Sequence, residues 1–160
     1  MSTARLWRCG GGRIGPVAPT LPFFVYGTLR PGEVNHDLFL RGRVRSEEPG
    51  VLADAVLYEG PGYPYAVEEP GGGVVRGELV TALPEAYGAL LAELDRLEEY
   101  VPGDPRSLYV RVERKVLRES DGAGVRAWVY VAGQGVAARL RDAGRRVEGG
   151  EWRGRRPDPR

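Results

Sequence analysis

The chain has 160 residues, 42% hydrophobic and 28% charged, with a formal net charge of +1. That is the size and balance of one soluble domain, without the strong field that draws nucleic acid. One cysteine (Cys9) and one histidine (His36) exclude an internal disulfide and argue against a tetrahedral zinc site.

No apolar run approaches the ~20 residues that span a bilayer. The stretch from Met1 to Pro22 is broken by Gly, Pro and Arg, unlike a secretory signal. A cytoplasmic protein without a membrane partner is expected.

Residues 1–20 read as an irregular tail. Gly10, Gly12 and Gly15 match G-x-G-x-x-G in form only, because neither a strand before them nor a helix after them is indicated. Order is expected from Leu21, where Phe23-Phe24-Val25-Tyr26 reads as a buried strand closed by Gly27. Pro31-Gly32 makes a turn, and Asn35 can cap a short helix to about Arg41. Strands follow at residues 53–58, 65–67 and 74–80, separated by Gly60-Pro61-Gly62 and Gly71-Gly72-Gly73.

Pro84 opens a helix to about Glu99 that stops before Pro102. A strand at residues 108–117 places Leu108, Val110 and Val112 on one side and Tyr109, Arg111 and Glu113 on the other. The turn Asp121-Gly122 leads to a hairpin partner at residues 125–131, and a weak helix covers 136–142. Residues 153–160 form an Arg-rich tail, leaving a domain at 21–152. Many strands, few helices and no βαβ alternation indicate an α+β fold or a barrel-like mixed sheet rather than a doubly wound one.

One residue breaks the pattern of the 84–99 helix. Leu83, Tyr87, Leu90, Leu91, Leu94 and Leu97 form one apolar stripe, and Glu98 falls inside it. A carboxylate there is either desolvated or faces a cavity. Both desolvation and a helix C-terminus raise its pKa toward the range useful for proton transfer. The plainer reading is that the helix frays and Glu98 reaches water; spacing alone leaves both open. Tyr26-Gly27-Thr28-Leu29 poses a similar choice. Successive N–H groups in such a turn can cradle a carboxylate, yet a Tyr-Gly turn is usually structural.

Taken in order, Val25-Tyr26-Gly27-Thr28-Leu29-Arg30-Pro31-Gly32, Leu57-Tyr58, Gly62-Tyr63-Pro64, Gly77-Glu78-Leu79, Leu94-Asp95-Arg96-Leu97-Glu98, Tyr109-Val110-Arg111, Ala127-Trp128-Val129-Tyr130 and Gly150-Glu151-Trp152 resemble the γ-glutamylcyclotransferase-like family. Thr28-Leu29, where glutathione-pathway members often carry Ser-Asn, is similar to the plant avirulence-induced-gene-2-like and small bacterial branch. Glu99 stands where the family usually has Gly.

The resemblance implies a small mixed β-barrel with flanking helices. It implies that Tyr26, Gly27, Thr28 and Leu29 hold the glutamyl end of a small γ-glutamyl substrate. It also implies that Glu98 is the general acid/base and that 5-oxoproline is formed without metal or cofactor.

Tyr63 and Tyr109, with Tyr26 and Tyr130, are candidates to line the pocket, core packing being the alternative for each. Arg111 and Arg30 are expected in surface ion pairs. His36-Asp37 is set aside as a dyad, since adjacent helical residues point apart. A binding module of the same fold, without turnover, is the rival function. Nucleic-acid association through the C-terminal arginines is the weaker third, and no nucleic-acid partner is expected.

Overall fold

The structure, a computed structural model, describes residues 20–154. Cys9, the three-glycine motif, all but the last residue of the 1–20 tail and most of the 153–160 tail lie outside the described residues. The strands are β1 (Phe23–Val25), β2 (Val44–Ala53), β3 (Ala55–Glu59), β4 (Pro64–Glu68), β5 (Val74–Ala82), β6 (Tyr109–Arg118) and β7 (Gly124–Ala132); the α-helices are α1 (Tyr87–Leu97) and α2 (Gln134–Ala143).

All three residues of β1 are buried, so both faces of this strand are covered. Phe24 packs into the barrel interior with Leu52, Leu79, Val116 and Val129. Phe23 and Val25 point the other way, into a cluster with Leu40, Leu90 and Leu94, as strand alternation requires. β1 pairs antiparallel with β5, Phe24 opposite Leu79, and parallel with β7, Phe23 opposite Trp128. The pairing closes a mixed five-stranded barrel in the order β1-β5-β2-β6-β7, with β3-β4 a separate hairpin. Helix α2 covers that hairpin through Ala137, against Val56, Tyr58 and Val67.

Three elements depart from the sequence expectation. The strand expected at 53–58 is two strands, because the chain breaks at Asp54, whose φ is +58°. The strand before the break, β2, is not foreseen at all, and within it Pro49 sits opposite Glu78 on β5. Its carbonyl accepts from the Glu119 N–H on the other side. Proline is tolerated there because β2 meets β6 only from Gly50 onward, so no ladder donor is lost. Finally, residues His36–Leu40 form one π-helical turn, and the Asn35 side chain does not cap it.

Helix α1 follows a 3-10 turn at Pro84–Ala86 and ends at Leu97, two residues short of the expected end. Its stripe does what its spacing implies. Leu90 and Leu94 are fully buried against the barrel, each worth ~1.5–3 kcal/mol of transfer free energy. That packing, on the side of β1 away from the barrel interior, fixes the helix end and with it Glu98.

Candidate active site

Beyond β1 the chain turns sharply, with the Arg30 N–H donating to the Gly27 carbonyl at 3.0 Å. The Asn35 N–H donates to the Thr28 carbonyl, and Asn35 Nδ2 to Thr28 Oγ1, both at 2.9 Å. Asn35, expected as a helix cap, therefore braces the loop instead. Among the described residues the backbone N–H groups of Gly27, Thr28 and Leu29 make no hydrogen bond, and all three residues face the same cavity. Gly27 is required by close approach: a Cβ there would stand 2.8 Å from the Pro64 ring.

Arg30 anchors the loop from below. It is 2% exposed and donates through Nε and Nη2 to the Glu78 carboxylate, through Nη2 to Glu151 and through Nη1 to the Trp152 carbonyl. The expected surface ion pair is thus a buried one. A guanidinium suits this place because its planar fork meets a carboxylate with two parallel bonds.

Across the cavity, α1 ends in a Schellman motif. The Glu99 N–H donates to the Arg96 carbonyl and the Tyr100 N–H to the Asp95 carbonyl, with Glu99 at φ +56°. The Glu98 N–H still donates to Leu94 at 2.9 Å, so the helix does not fray at this residue. Glu98 is its C-terminal cap, and its partly buried carboxylate lines the cavity.

The cavity holds about 290 Å³ and is lined by Phe24, Val25, Tyr26, Gly27, Thr28, Leu29, Asn35, Tyr63, Pro64, Leu97, Glu98, Glu99, Leu108, Tyr109 and Tyr130. That volume lies at the small end of small-molecule sites, ~300–1,000 Å³. Every residue named from the sequence as a site candidate, Tyr26, Gly27, Thr28, Leu29, Tyr63, Tyr109 and Glu98, faces this one space, as does Tyr130.

The tyrosines explain the electrostatics. Tyr26 OH donates to the Tyr130 carbonyl at 2.5 Å, Tyr109 OH to the Pro64 carbonyl at 2.6 Å, and Tyr130 OH to Asp95 Oδ1 at 2.5 Å. Each hydroxyl proton is therefore committed away from Glu98. Burial pushes all three phenols above their ordinary range, so they remain neutral. Among the described residues no group hydrogen-bonds or ion-pairs with the Glu98 carboxylate. Desolvation with nothing to offset it pushes its pKa up to about 7.

Two side chains weighed in the sequence, Arg111 and His36, pair outside the cavity. Arg111 does not line the cavity; it donates to Asp95 at 2.8 Å and lies over the Trp128 ring at 4.3 Å, half-buried rather than on the surface. His36 turns to Glu47, with Nε2 at 2.6 Å from Oε2, and away from any nucleophile. Sequence reasoning missed Asp95 as the partner of both Tyr130 and Arg111. Its spacing, three residues before Glu98 on one helix face, was the available signal.

Among the described residues no cluster of three or more His, Cys, Asp or Glu is placed to hold a metal ion, and no helix is long and apolar enough to cross a membrane.

Comparison with known proteins bears on the whole arrangement. A γ-L-glutamyl-butirosin B γ-glutamyl cyclotransferase from Niallia circulans is 38% identical over 109 residues, which are 68% of this chain and 64% of that protein. The chain thus matches somewhat less than two thirds of that relative's length. The crystal structure of an AIG2-like protein from Mus musculus is 26% identical, covering 70% of this chain and 76% of that one, with a TM-score of 0.56. An uncharacterised protein from Pyrococcus horikoshii shares the fold, at 23% identity and a TM-score of 0.54 over 82% of this chain and 88% of its own. Residues 23–154, from the first barrel strand to the last described residue, match the family described as γ-glutamyl cyclotransferase, AIG2-like. The loop after β1, the barrel and the acidic end of α1 all fall within that match, and the chain belongs to this family.

Proposed function

We propose that this protein is a γ-glutamyl cyclotransferase that converts a γ-glutamyl amide to 5-oxoproline and a free amine, with Glu98 as general acid and base. The observation that carries this reading is an unpartnered carboxylate held at a pKa of about 7 in a tyrosine-walled cavity, facing a loop with free N–H groups.

The chemistry asks little more. The nucleophile is the α-amine of the substrate itself, so no Ser or Cys is called on. Glu98 takes a proton from the α-ammonium. The amine then attacks the γ-carbonyl and forms the C–N bond of a five-membered ring. Collapse of the tetrahedral intermediate breaks the original amide C–N bond; Glu98 returns its proton to the leaving nitrogen, and the second proton of the ring nitrogen follows it, so the lactam is neutral and the amine leaves as its ammonium. Atoms balance without water.

A group with a pKa near 7 can make both transfers at neutral pH. The N–H groups of Gly27, Thr28 and Leu29 are suited to the α-carboxylate or the developing oxyanion. Holding the substrate curled supplies the rest as a proximity effect. Tyr26, Tyr63 and Tyr109 wall the space in which it curls, and burial among such side chains keeps Glu98 desolvated.

The test is release of 5-oxoproline from γ-glutamyl amines and γ-glutamyl amino acids. Wild-type protein should form it, and Glu98→Gln should lose at least ~100-fold in kcat, the lower range for general acid–base catalysis. Equal rates for the two proteins would remove Glu98 from the reaction. Binding of the amides without turnover by wild type would leave the site a binding module.

A further inference from the structure

The charges around the cavity are one-sided. Among its lining residues are two carboxylates, Glu98 and Glu99, and no Arg, Lys or His. Under the proposed reaction Glu98 is occupied with the α-amine and the leaving nitrogen. Glu99 has no such duty.

Its placement is costly in two respects. It takes the left-handed conformation at φ +56°, which a glycine would adopt freely. It also sets a second negative charge beside a carboxylate that already lacks a partner. Among the described residues its side chain makes no hydrogen bond or ion pair, and it is exposed while still lining the cavity. Arg139 on α2 is close enough to act on Tyr65 but does not pair with Glu99.

Glu99 therefore stands at the mouth. Tyr63, half-buried, lines the same cavity, with its ring 6.3 Å from that of Tyr109 and 5.7 Å from that of Tyr65. A free carboxylate in a cavity that tyrosines also line is the chemistry that receives an ammonium group.

Resting on the cyclotransferase reading, we propose that Glu99 is a specificity-determining residue and that the site selects γ-glutamyl amides whose leaving amine carries a second, cationic nitrogen. The glutamyl end lies inward, toward the loop and Glu98, and the leaving arm emerges past Glu99. A cationic arm meets the carboxylate there, a neutral arm gains nothing, and an anionic arm is repelled.

Three synthetic amides of matched length test this: γ-glutamyl-(4-aminobutyl)amide, γ-glutamyl-butylamide and the γ-glutamyl amide of 4-aminobutanoate. For wild-type protein at low salt, kcat/KM should favour the cationic over the neutral arm by about five-fold, the upper range of an exposed ion pair. The anionic arm should rank last, and the preference should shrink as salt screens it. Glu99→Gln should bring the cationic-to-neutral ratio to near one, and Glu99→Lys should invert the order of cationic and anionic arms. Each ratio is internal to one protein, so altered folding does not mimic the effect.

An unchanged ratio in Glu99→Gln, or no wild-type preference, overturns the assignment. If no amide is turned over, the cyclotransferase reading fails, and calorimetric Kd values for the same three amides decide this one. A cation preference lost in Glu99→Gln upholds Glu99 as the selector, and equal affinities overturn it.

Discussion

Two charges, one buried and one partly buried, flank one loop, and they are treated in opposite ways. Below residues 27–29, the Arg30 guanidinium is met by Glu78, Glu151 and the Trp152 carbonyl. Above the same residues, the Glu98 carboxylate is met by none, because Tyr26, Tyr109 and Tyr130 give their protons to other acceptors. A compensated charge holds structure, since its removal orphans its partners. An uncompensated charge destabilises the fold that carries it, and its presence calls for a functional reason. The comparison predicts that mutation at the two sites shifts stability in opposite directions.

The largest effect is expected at Arg30. Replacing it with Met keeps its packing but leaves Glu78 half-buried and unpaired, which should cost about 3 kcal/mol in urea unfolding. A neutral result would mean that the network is not what anchors the loop.

Next comes Glu98. Its pKa rises from 4.5 to about 7 on folding, so between those values the folded state holds a proton that the unfolded chain has released. The contribution of this group to stability is fully present below pH ~4.5 and is lost as pH rises through ~7, by on the order of 2–3 kcal/mol. Glu98→Gln should remove that decline and exceed wild type in stability above pH 7, as urea midpoints across the pH range would show. A wild-type advantage there would reveal a hidden partner for the carboxylate.

The smallest effect sharpens the loop itself. Gly27→Ala places a methyl group 2.8 Å from Pro64 Cδ. Overpacking of that kind costs ~1–3 kcal/mol, here with a raised KM because the shifted residue lies among the free N–H groups. An unchanged KM would separate the Gly27–Pro64 contact from binding.

Legibility in the sequence followed the range over which each signal acts. The α1 stripe was readable because helical periodicity is local, and Glu98 stood out as the residue that interrupts it. The buried strand β1 was readable for the same reason. Arg30 was not, because its carboxylate partners lie 48 and 121 residues away and nothing nearby marks it as buried. Nor was β2, whose first six residues are exposed or half-buried and whose Glu-Glu-Pro-Gly run carries turn chemistry; neighbouring strands, not propensity, make it a strand. The loop of residues 26–29 became a candidate through resemblance, and its free N–H groups emerged only with the folded chain.

The most direct test of the uncompensated carboxylate is the pH dependence of kcat/KM for 5-oxoproline release from a γ-glutamyl amide. Log kcat/KM should rise with unit slope from acid pH and break near 7, where Glu98 loses its proton. A break in the ordinary glutamate range near ~4.3, or a profile that Glu98→Gln reproduces at full rate, would contradict it.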